Sequence, residues 1–389
     1  MRQPVIPAVG SSSVGKSALP GRDLFSVAIE EAFAGLPDPA ELVEAVYVGN
    51  QSEQYEHQIM HGTLLAEWAG LRHVPAERVE GCAAAGALAL RHAVKDVRSG
   101  EHDAVLACGV EKMTAGGTAG ATKSLSAAFD RALEQRSGVT APSQYALLAQ
   151  RYLHETEATE RDLARIAVKN HENATGNPRA QFPKPIDVET VLDSQPVAPP
   201  LKLFDCAPVG DAAAAVLVTT REIAETLERP TVTVGGSGAA ANNIAVAERN
   251  MTDIEGAAVA AETAYEEAGV TAEEVDIAEV HDAFTVSEAL LSEAVGFAPP
   301  GKGYQSYLPP EERDEGWTDV ELSTSGGLKA RGHPIGATGI LQAIEAYEQL
   351  TGTAGERTRP DAETALILNE GGVADAVTVA HVLTAEGAQ

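Results

Sequence analysis

The sequence predicts an α/β protein with two similar halves and one long insertion. Short apolar runs of strand length alternate with alanine-rich stretches of helical length through most of the chain. This alternation is typical of buried strands connected by helices that cover a sheet. The order strand, loop, small-residue helix, strand also occurs twice, which indicates an internal duplication. Residues 114–200 interrupt the rhythm and predict an excursion between strands.

The individual elements follow from these patterns in chain order. Strands are predicted at the apolar runs 45–48, 104–107, 214–218, 231–234, 277–280 and 365–368. Helices are predicted at 23–34, 83–97, 144–155, 160–173, 254–268 and 340–350. The excursion combines helix signals with six prolines between residues 178 and 200, which favours an inserted loop domain over a separate folding unit. The predicted halves are residues 1–228, with this insertion, and residues 229–389.

The duplication also predicts where a functional site lies. In each half a strand ends at a polar residue, a loop enters a small-residue helix, and a second strand ends at a glycine. Two such halves placed face to face bring their helix entries to one central point. Three positions of the first half pair with three of the second: Asn50 with His281, Cys82 with His333, and Gly109 with Gly371.

The charge balance excludes several classes of function. The 389 residues include 57 acidic and 28 basic side chains, for a net charge of −29. A surface this negative repels the phosphates of nucleic acids. The acidic surplus is spread along the chain and only nine residues are lysine, which favours a halophilic protein whose self-repulsion is screened by salt. A merely acidic protein from an ordinary cytoplasm is the alternative.

The sequence gives no sign of a membrane span or of export. The longest apolar run, 212–218, has seven residues, whereas crossing a bilayer takes roughly 20. The first residues lack the apolar core of a signal peptide. Three scattered cysteines cannot form a disulfide framework. We therefore expect a cytoplasmic protein that engages neither membrane nor nucleic acid.

Residues 10–17, GSSSVGKS, match the phosphate-loop pattern G-x-x-x-x-G-K-[ST]. Such a loop must open a helix whose N-terminal amides hold the phosphates. Here Pro20 and Gly21 follow within a few residues and stop a helix, while Pro4 and Pro7 make the preceding run poor for a central parallel strand. The context therefore disfavours a nucleotide-binding protein.

Cys82 is the best candidate nucleophile. It follows Gly81 at the entry of a small-residue helix, where free N–H groups and the positive end of the dipole favour a thiolate and bind an oxyanion. Free cysteine is otherwise a small buried hydrophobe, and Cys108, in an apolar strand, fits that description.

Two histidines are candidate acid–base groups. His281 ends a predicted strand, the position where α/β sheets place ligand chemistry, and Asp282 follows it. His333 lies among glycines that allow close approach of backbone to a bulky ligand. A tight structural turn is the alternative reading of that segment.

Five segments resemble the motifs of thiolases. Residues 326–339, GGLKARGHPIGATG, resemble the C-terminal histidine motif, and residues 81–86, GCAAAG, stand at the nucleophile motif, commonly closer to CASG. Residues 108–113, CGVEKM, and 207–218, APVGDAAAAVLV, resemble a strand end and the segment that closes the first half. Residues 281–285, HDAFT, resemble the HDCFT of the archaeal and sterol-carrier-type branch, where conventional thiolases carry NEAF.

The resemblance covers nearly the whole chain and implies the five-layer αβαβα thiolase fold. It implies an acyltransferase that forms or cleaves 3-ketoacyl-CoA, with acetyl-CoA and acetoacetyl-CoA as expected substrates and no metal or cofactor beyond coenzyme A thioesters. It also implies a homodimer or tetramer. Archaeal members often work with a 3-hydroxy-3-methylglutaryl-CoA (HMG-CoA) synthase and a small zinc-ribbon/OB-fold protein, and the resemblance allows such a complex here.

The family's roles transfer to four positions. The resemblance implies that Cys82 becomes acylated and that His333 accepts its thiol proton. His281 stands where conventional enzymes use asparagine and would bind the enolate oxygen. The backbone amides of Cys82 and Gly371 would form the oxyanion hole for the acyl carbonyl.

Two further positions are assigned to the substrate site, and one of them departs from the family. Ser237, in GGSGAA, is a candidate contact for the pantetheine arm. Asn369 occupies the place of the second cysteine of conventional thiolases, and Ala283 occupies the place of the cysteine in HDCF. Neither replacement can transfer a proton, so we expect one of the two histidines to double as the base. The alternative is a catalytically weakened thiolase-like protein that binds acyl-CoA or lipid.

Overall fold

The computed structural model describes residues 2–387. They form one mixed sheet with helices on its outer faces and between its two halves. The strands of this sheet are β1 (Val5–Ser11), β2 (Ala45–Gly49), β3 (Ala76–Val79), β4 (Ala104–Lys112), β7 (Asp211–Thr219), β8 (Val232–Ala241), β9 (Ile277–Glu279), β10 (Glu321–Leu322), β11 (Thr364–Gly371) and β12 (Val377–Ala385). A separate hairpin consists of β5 (Pro196–Ala198) and β6 (Leu201–Lys202).

Twelve α-helices accompany the strands in the described part of the chain. They are α1 (Gly21–Ala32), α2 (Pro39–Leu42), α3 (His61–Trp68), α4 (Ala85–Ser99), α5 (Gly117–Leu125), α6 (Ala141–Glu155), α7 (Glu160–Asn173), α8 (Val188–Leu192), α9 (Arg221–Thr226), α10 (Glu255–Ala268), α11 (Thr285–Ala294) and α12 (Thr338–Leu350). None of the helices within residues 2–387 is long and apolar enough to span a lipid bilayer.

The strand order shows the duplication directly. Across the sheet the strands run β10-β9-β11-β12-β8-β1-β7-β4-β2-β3. Counted outward from the centre, the strands of the two halves occupy equivalent positions: β8 corresponds to β1, β12 to β7, and β11 to β4. The halves meet where β1 pairs antiparallel with β8. The boundary at residue 228 stays a prediction, although this junction supports it.

Three apolar cores separate the layers. Alternate residues of β4 face opposite sides, so that Val105 contacts the central core and Leu106 the outer one. The central core contains α4 and α12, sandwiched between the two halves of the sheet. Helices α1 and α3 cover the first half, and α10 and α11 cover the second. The predicted five layers are therefore confirmed, and the shared central layer brings the two helix entries together.

Two glycines allow this close approach. A Cβ on Gly109, near the end of β4, would lie 2.3 Å from the carbonyl oxygen of Gly336, in the turn before α12. A Cβ on Gly371, at the end of β11, would lie 2.1 Å from the carbonyl oxygen of Gly81, before α4. Each half therefore seats its strand-end glycine on the helix entry of the other half.

All six predicted strands and all six predicted helices are present, with bounds within three residues except that β4 and β8 extend further, to Lys112 and Ala241. The sequence missed β1, whose Pro7 lies at an irregularity in the register between Val5 and Ala8. It also missed α11, because almost every residue of that helix is buried and no polar stripe marks its period. No helix follows the GSSSVGKS segment until Gly21, so the phosphate-loop geometry is absent from this described segment.

Candidate active site

Cys82 begins a short 3-10 turn, Cys82–Ala84, that leads directly into α4. Its φ of 51° lies in the left-handed region, which L-residues other than glycine, asparagine and aspartate rarely adopt. A conformation of this kind costs of order 1–3 kcal/mol and persists only where the surroundings enforce it. The enforced turn directs the thiol into the cleft between the two helix entries.

The electrostatics of the thiol differ from the sequence expectation. Burial raises the pKa of Cys82 to about 11, even though hydrogen bonds from the amides of Gly372 and Ala83 to the sulfur act in the opposite direction. We expected the helix entry to favour a thiolate, and this was wrong because desolvation outweighs the two amides. The resting group is therefore a neutral thiol that must lose its proton during attack.

The amides that face the resting sulfur are not the two predicted to form the oxyanion hole. The predicted donors were the amides of Cys82 and Gly371. In the structure the Cys82 amide donates to Oε1 of Glu80 over 2.7 Å, and Gly371 is occupied in packing against Gly81. The amides that face the sulfur belong to Ala83 and Gly372. The chain therefore offers a pair of donors, but from the next residue along each segment.

His333 is held by a hydrogen bond from one of its two ring nitrogens. Its Nδ1 lies 2.8 Å from Oγ1 of Thr338, and that hydroxyl donates its own proton to the carbonyl of Pro334 over 3.2 Å. With its proton directed to Pro334, the hydroxyl accepts from the ring, and this hydrogen-bond pattern assigns the proton to Nδ1 and the lone pair to Nε2. Burial, together with the nearby Arg331, lowers the pKa of His333 to about 3. The free ring is therefore neutral at physiological pH.

His281 is held in the opposite tautomer. Its Nδ1 accepts a hydrogen bond from Nδ2 of Asn369 over 2.9 Å, so the proton of the neutral ring resides on Nε2. Burial, His333 and Arg331 keep the pKa of His281 well below its usual range. The rings of His281 and His333 stand edge to face, with centroids 5.0 Å apart and planes at 80°. One imidazole accepts a proton and its neighbour donates a hydrogen bond.

These groups share one cavity of about 290 Å³. Cys82, His281 and His333 all line it, and Tyr145 stacks on Phe284 in its wall with ring centroids 4.2 Å apart. The remaining lining is mostly small and apolar, and much of it comes from the insertion: Thr118, Ala121, Thr122, Leu125, Ala141 and Pro142. The structure thus brings together three of the predicted residues, and the excursion shapes the pocket around them.

A second cavity of about 590 Å³, with a mixed polar and apolar lining, opens on the other side of Cys82. Glu80 and Arg78 line it beside the nucleophile, and Gly371 and Gly372 form its floor. Cys82 therefore lies between a mostly apolar chamber and one of mixed lining, and of these two only the apolar chamber is lined by the two histidines.

The two predicted substrate contacts lie in different places. Asn369 is fully buried and reaches the site only through His281, so it positions the imidazole. Ser237 is buried within β8 opposite His381, and its amide donates to Glu267. It does not line the cavity, because a residue in the middle of a central strand cannot reach the edge where the loops converge.

Sequence reasoning also missed functional groups. Thr338, five residues after His333, fixes the tautomer, and its place in the first turn of α12 was a usable signal. Gly372 supplies an amide that no side-chain pattern could reveal. Residues 2–387 contain no group of three or more His, Cys, Asp or Glu side chains arranged to hold a metal ion.

Comparison with known proteins decides the family. Residues 5–222 match the model of the thiolase N-terminal domain, and residues 237–385 match that of the thiolase C-terminal domain-like family. This chain belongs to the thiolase family. The thiolase is 42% identical over 344 residues to an acetyl-CoA acetyltransferase of Methanothermobacter thermautotrophicus, covering 88% of each chain.

A sterol-carrier relative and a solved structure are also similar to this thiolase. It is 31% identical to sterol carrier protein 2 of Gallus gallus, over 90% of this chain and 65% of that protein. Its fold matches the solved structure titled Ltp2-ChsH2(DUF35) aldolase, with a TM-score of 0.82, 21% identity and coverage of 99% and 98% of the two chains. The archaeal and sterol-carrier-type resemblance is therefore confirmed, and the chain is a thiolase-type acyltransferase.

Proposed function

We propose that this thiolase forms and cleaves short 3-ketoacyl-CoA esters through an acyl group carried on Cys82. The single observation that carries the proposal is the convergence of Cys82, a basic imidazole and a hydrogen-bond-donating imidazole on one small apolar cavity. A volume of about 290 Å³ suits an acetyl or acetoacetyl group better than a long acyl chain.

Acylation uses groups that are all present. The thiol proton of Cys82 moves to Nε2 of His333 as the sulfur attacks the thioester carbonyl. The bond from carbon to the sulfur of coenzyme A then breaks, and the departing thiolate takes the proton back from His333. The amides of Ala83 and Gly372, which face the sulfur in the free protein, are the proposed donors to the acyl carbonyl.

Condensation uses the opposite tautomer. A second acetyl-CoA must lose a methyl proton, and its thioester oxygen then gains negative charge. Nε2–H of His281 is the proposed hydrogen-bond donor to that oxygen, because Asn369 fixes the proton of the ring on this nitrogen. The resulting carbon nucleophile attacks the acyl group on Cys82, which releases the thiol. Asn369 and Ala283 cannot take the methyl proton, so the base comes from elsewhere in the cavity.

An assembly is part of the proposal. Among the strands that the structure describes, β3 is the last at one end of the sheet and has one unpaired edge. Helix α3 packs on this strand, and the exposed Ile59 and Met60 lie just before that helix. An open strand edge beside exposed apolar side chains favours pairing with a second copy in a homodimer. A solved structure of the same fold carries DUF35 in its title. An additional zinc-ribbon/OB-fold partner and a complex with an HMG-CoA synthase are predictions of the resemblance.

The test is an activity assay at high KCl with acetyl-CoA, acetoacetyl-CoA and longer 3-ketoacyl-CoA esters. We expect condensation and thiolysis of the short esters, both lost in Cys82→Ala. Binding of acyl-CoA without turnover would instead support the weakened binding protein, which the absence of a proton-transferring group at positions 283 and 369 favours.

A further inference from the structure

A second cysteine lines the cavity that holds Cys82. Cys206 lies on the wall of the same 290 Å³ chamber as Cys82, His281 and His333. It is only partly buried, unlike Cys108, which is fully enclosed in β4. Of the three cysteines, two therefore reach the site.

The segment that carries Cys206 is held to both histidine loops. Cys206 forms an antiparallel bridge with Phe284, and the amide of Ala207 donates to the carbonyl of Ala283 over 2.8 Å. At the other end of the segment, the amide of His333 donates to the carbonyl of Pro208 over 3.3 Å. Cys206 thus sits beside the very position at which related thiolases carry the cysteine of HDCF.

A buried cation accompanies this sulfur. The ammonium of Lys329 donates to the carbonyl of Cys206 over 2.7 Å, and Lys329 itself is only 2% exposed. In the resting state the thiol donates to the carbonyl of Lys202 over 3.3 Å. Burial raises the pKa of Cys206 to about 11, while Lys329 acts to lower it. A thiolate formed here is strongly basic and has a fixed positive charge beside it.

We propose that Cys206 is the base of the condensation step and replaces the cysteine missing at positions 283 and 369. The assignment rests on the proposed function. Once coenzyme A has left, Nε2 of His333 is free and takes the thiol proton of Cys206. The Cys206 thiolate then removes a methyl proton from acetyl-CoA: the C–H bond breaks, the S–H bond forms, and the electron pair enters the enolate that His281 stabilises.

The remaining bonds close the balance. The enolate carbon attacks the acetyl carbonyl on Cys82, the new C–C bond forms, and the bond from that carbonyl to the Cys82 sulfur breaks. The Cys82 thiolate then takes the proton held by His333. Cys206 ends as a thiol with the proton from the substrate, and neither an oxidant nor a further reactant is consumed.

The test separates the two half-reactions. In Cys206→Ala and Cys206→Ser, acetylation of Cys82 by acetyl-CoA, followed by mass spectrometry, should stay within about twofold of the wild type. Exchange of the acetyl-CoA methyl protons with D₂O, and condensation, should fall by roughly 10²–10⁴-fold, the usual contribution of a general base. Cys108→Ala is the matched control and should retain the exchange, because that thiol lies in the core of β4.

A rescue sharpens the assignment. Adding Ala283→Cys to Cys206→Ala should restore much of the exchange, because position 283 is joined to the same segment. Exchange and condensation that persist at the wild-type rate in both Cys206 variants would overturn the proposal and leave His333 as the base. A wild-type protein that never acetylates Cys82 would refute the proposed function instead, so the two failures are distinguishable.

Discussion

The two halves of the molecule use equivalent positions in opposite ways. In the first half Asn50 follows β2, and its amide donates to Glu111 over 2.9 Å while its oxygen accepts from Arg78. In the second half His281 follows β9 and meets Asn369, whose oxygen has no partner among the described residues. The side chain of Asn50 therefore has partners for both its amide group and its oxygen, whereas that of Asn369 has a partner within residues 2–387 only for its amide group. One copy of the duplicated strand end stabilises the fold, and we propose that the other carries the chemistry.

Glu111 explains the structural copy. Its buried carboxyl accepts from the amides of Gln51 over 2.7 Å and of Gly336 over 3.0 Å, in addition to Asn50. Gly336 belongs to the turn that follows His333, so this carboxyl ties the first half to the histidine loop of the second. The hydrogen bonds of Glu111 thus hold the loop that carries His333 in place.

The largest effect that tests this contrast is expected in His333→Ala. Acetylation of Cys82 should fall by roughly 10²–10⁴-fold, because this variant removes the proposed acceptor of the thiol proton. Single-turnover release of coenzyme A measures it. Thr338→Val is the companion variant and should lose less of the acetylation rate, because it removes only the hydrogen bond that fixes the tautomer of His333. Unchanged acetylation in His333→Ala would remove its role as base.

A matched pair separates structure from catalysis. His281→Ala should slow condensation by roughly 10²–10³-fold, as loss of one oxyanion donor does, beyond any fall in the free energy of unfolding that follows when Asn369 loses its buried partner. Asn50→Ala should lower that free energy by about 1–3 kcal/mol, since Glu111 loses a buried partner. Denaturant titration measures the free energy of unfolding of both variants, and a condensation assay measures their rates. The contrast between the halves fails if the two variants show the same profile.

The state of the Cys82 thiol predicts a pH dependence. Because its folded pKa is about 11, the thiolate fraction is small at neutral pH and grows about tenfold for each pH unit below that value. Alkylation of Cys82 by iodoacetamide, mapped by peptide mass spectrometry, should rise with this slope from pH 7 to 9. A plateau below pH 8 would show a preformed thiolate instead.

The smallest effect concerns salt. A net charge of −29 repels itself in dilute buffer, so the melting temperature should rise between low and molar KCl as the charges are screened. The gain should be spread over the chain and leave the ratio of the two half-reactions unchanged. A melting temperature that does not respond to KCl would contradict the halophilic interpretation.

The sequence predicted the fold well and the site in outline. The period of apolar residues located α4 and α12, and the repeated strand–loop–helix order placed Cys82 opposite His333. The tautomers could not be predicted, because the bond from His281 to Asn369 joins residues 88 apart. The thiol pKa depends on burial, which no local motif reports.

The oxyanion donors and the second cysteine were missed for related reasons. A one-residue shift from Gly371 to Gly372 depends on how tightly β11 packs on Gly81, which is a tertiary property. Cys206 directly precedes the motif at 207–218 but is far in sequence from Cys82 and His333, and its bridge to Phe284 holds it at the cavity.

The central claim is that Cys82 carries the acyl group, and direct mapping tests it. Wild-type protein is incubated with acetyl-CoA, quenched in acid and digested, and each cysteine peptide is weighed by mass spectrometry. The account predicts acetyl on Cys82, with Cys108 and Cys206 free, and loss of the label in Cys82→Ala. Acetyl on Cys108 or Cys206 with Cys82 unmodified would contradict it.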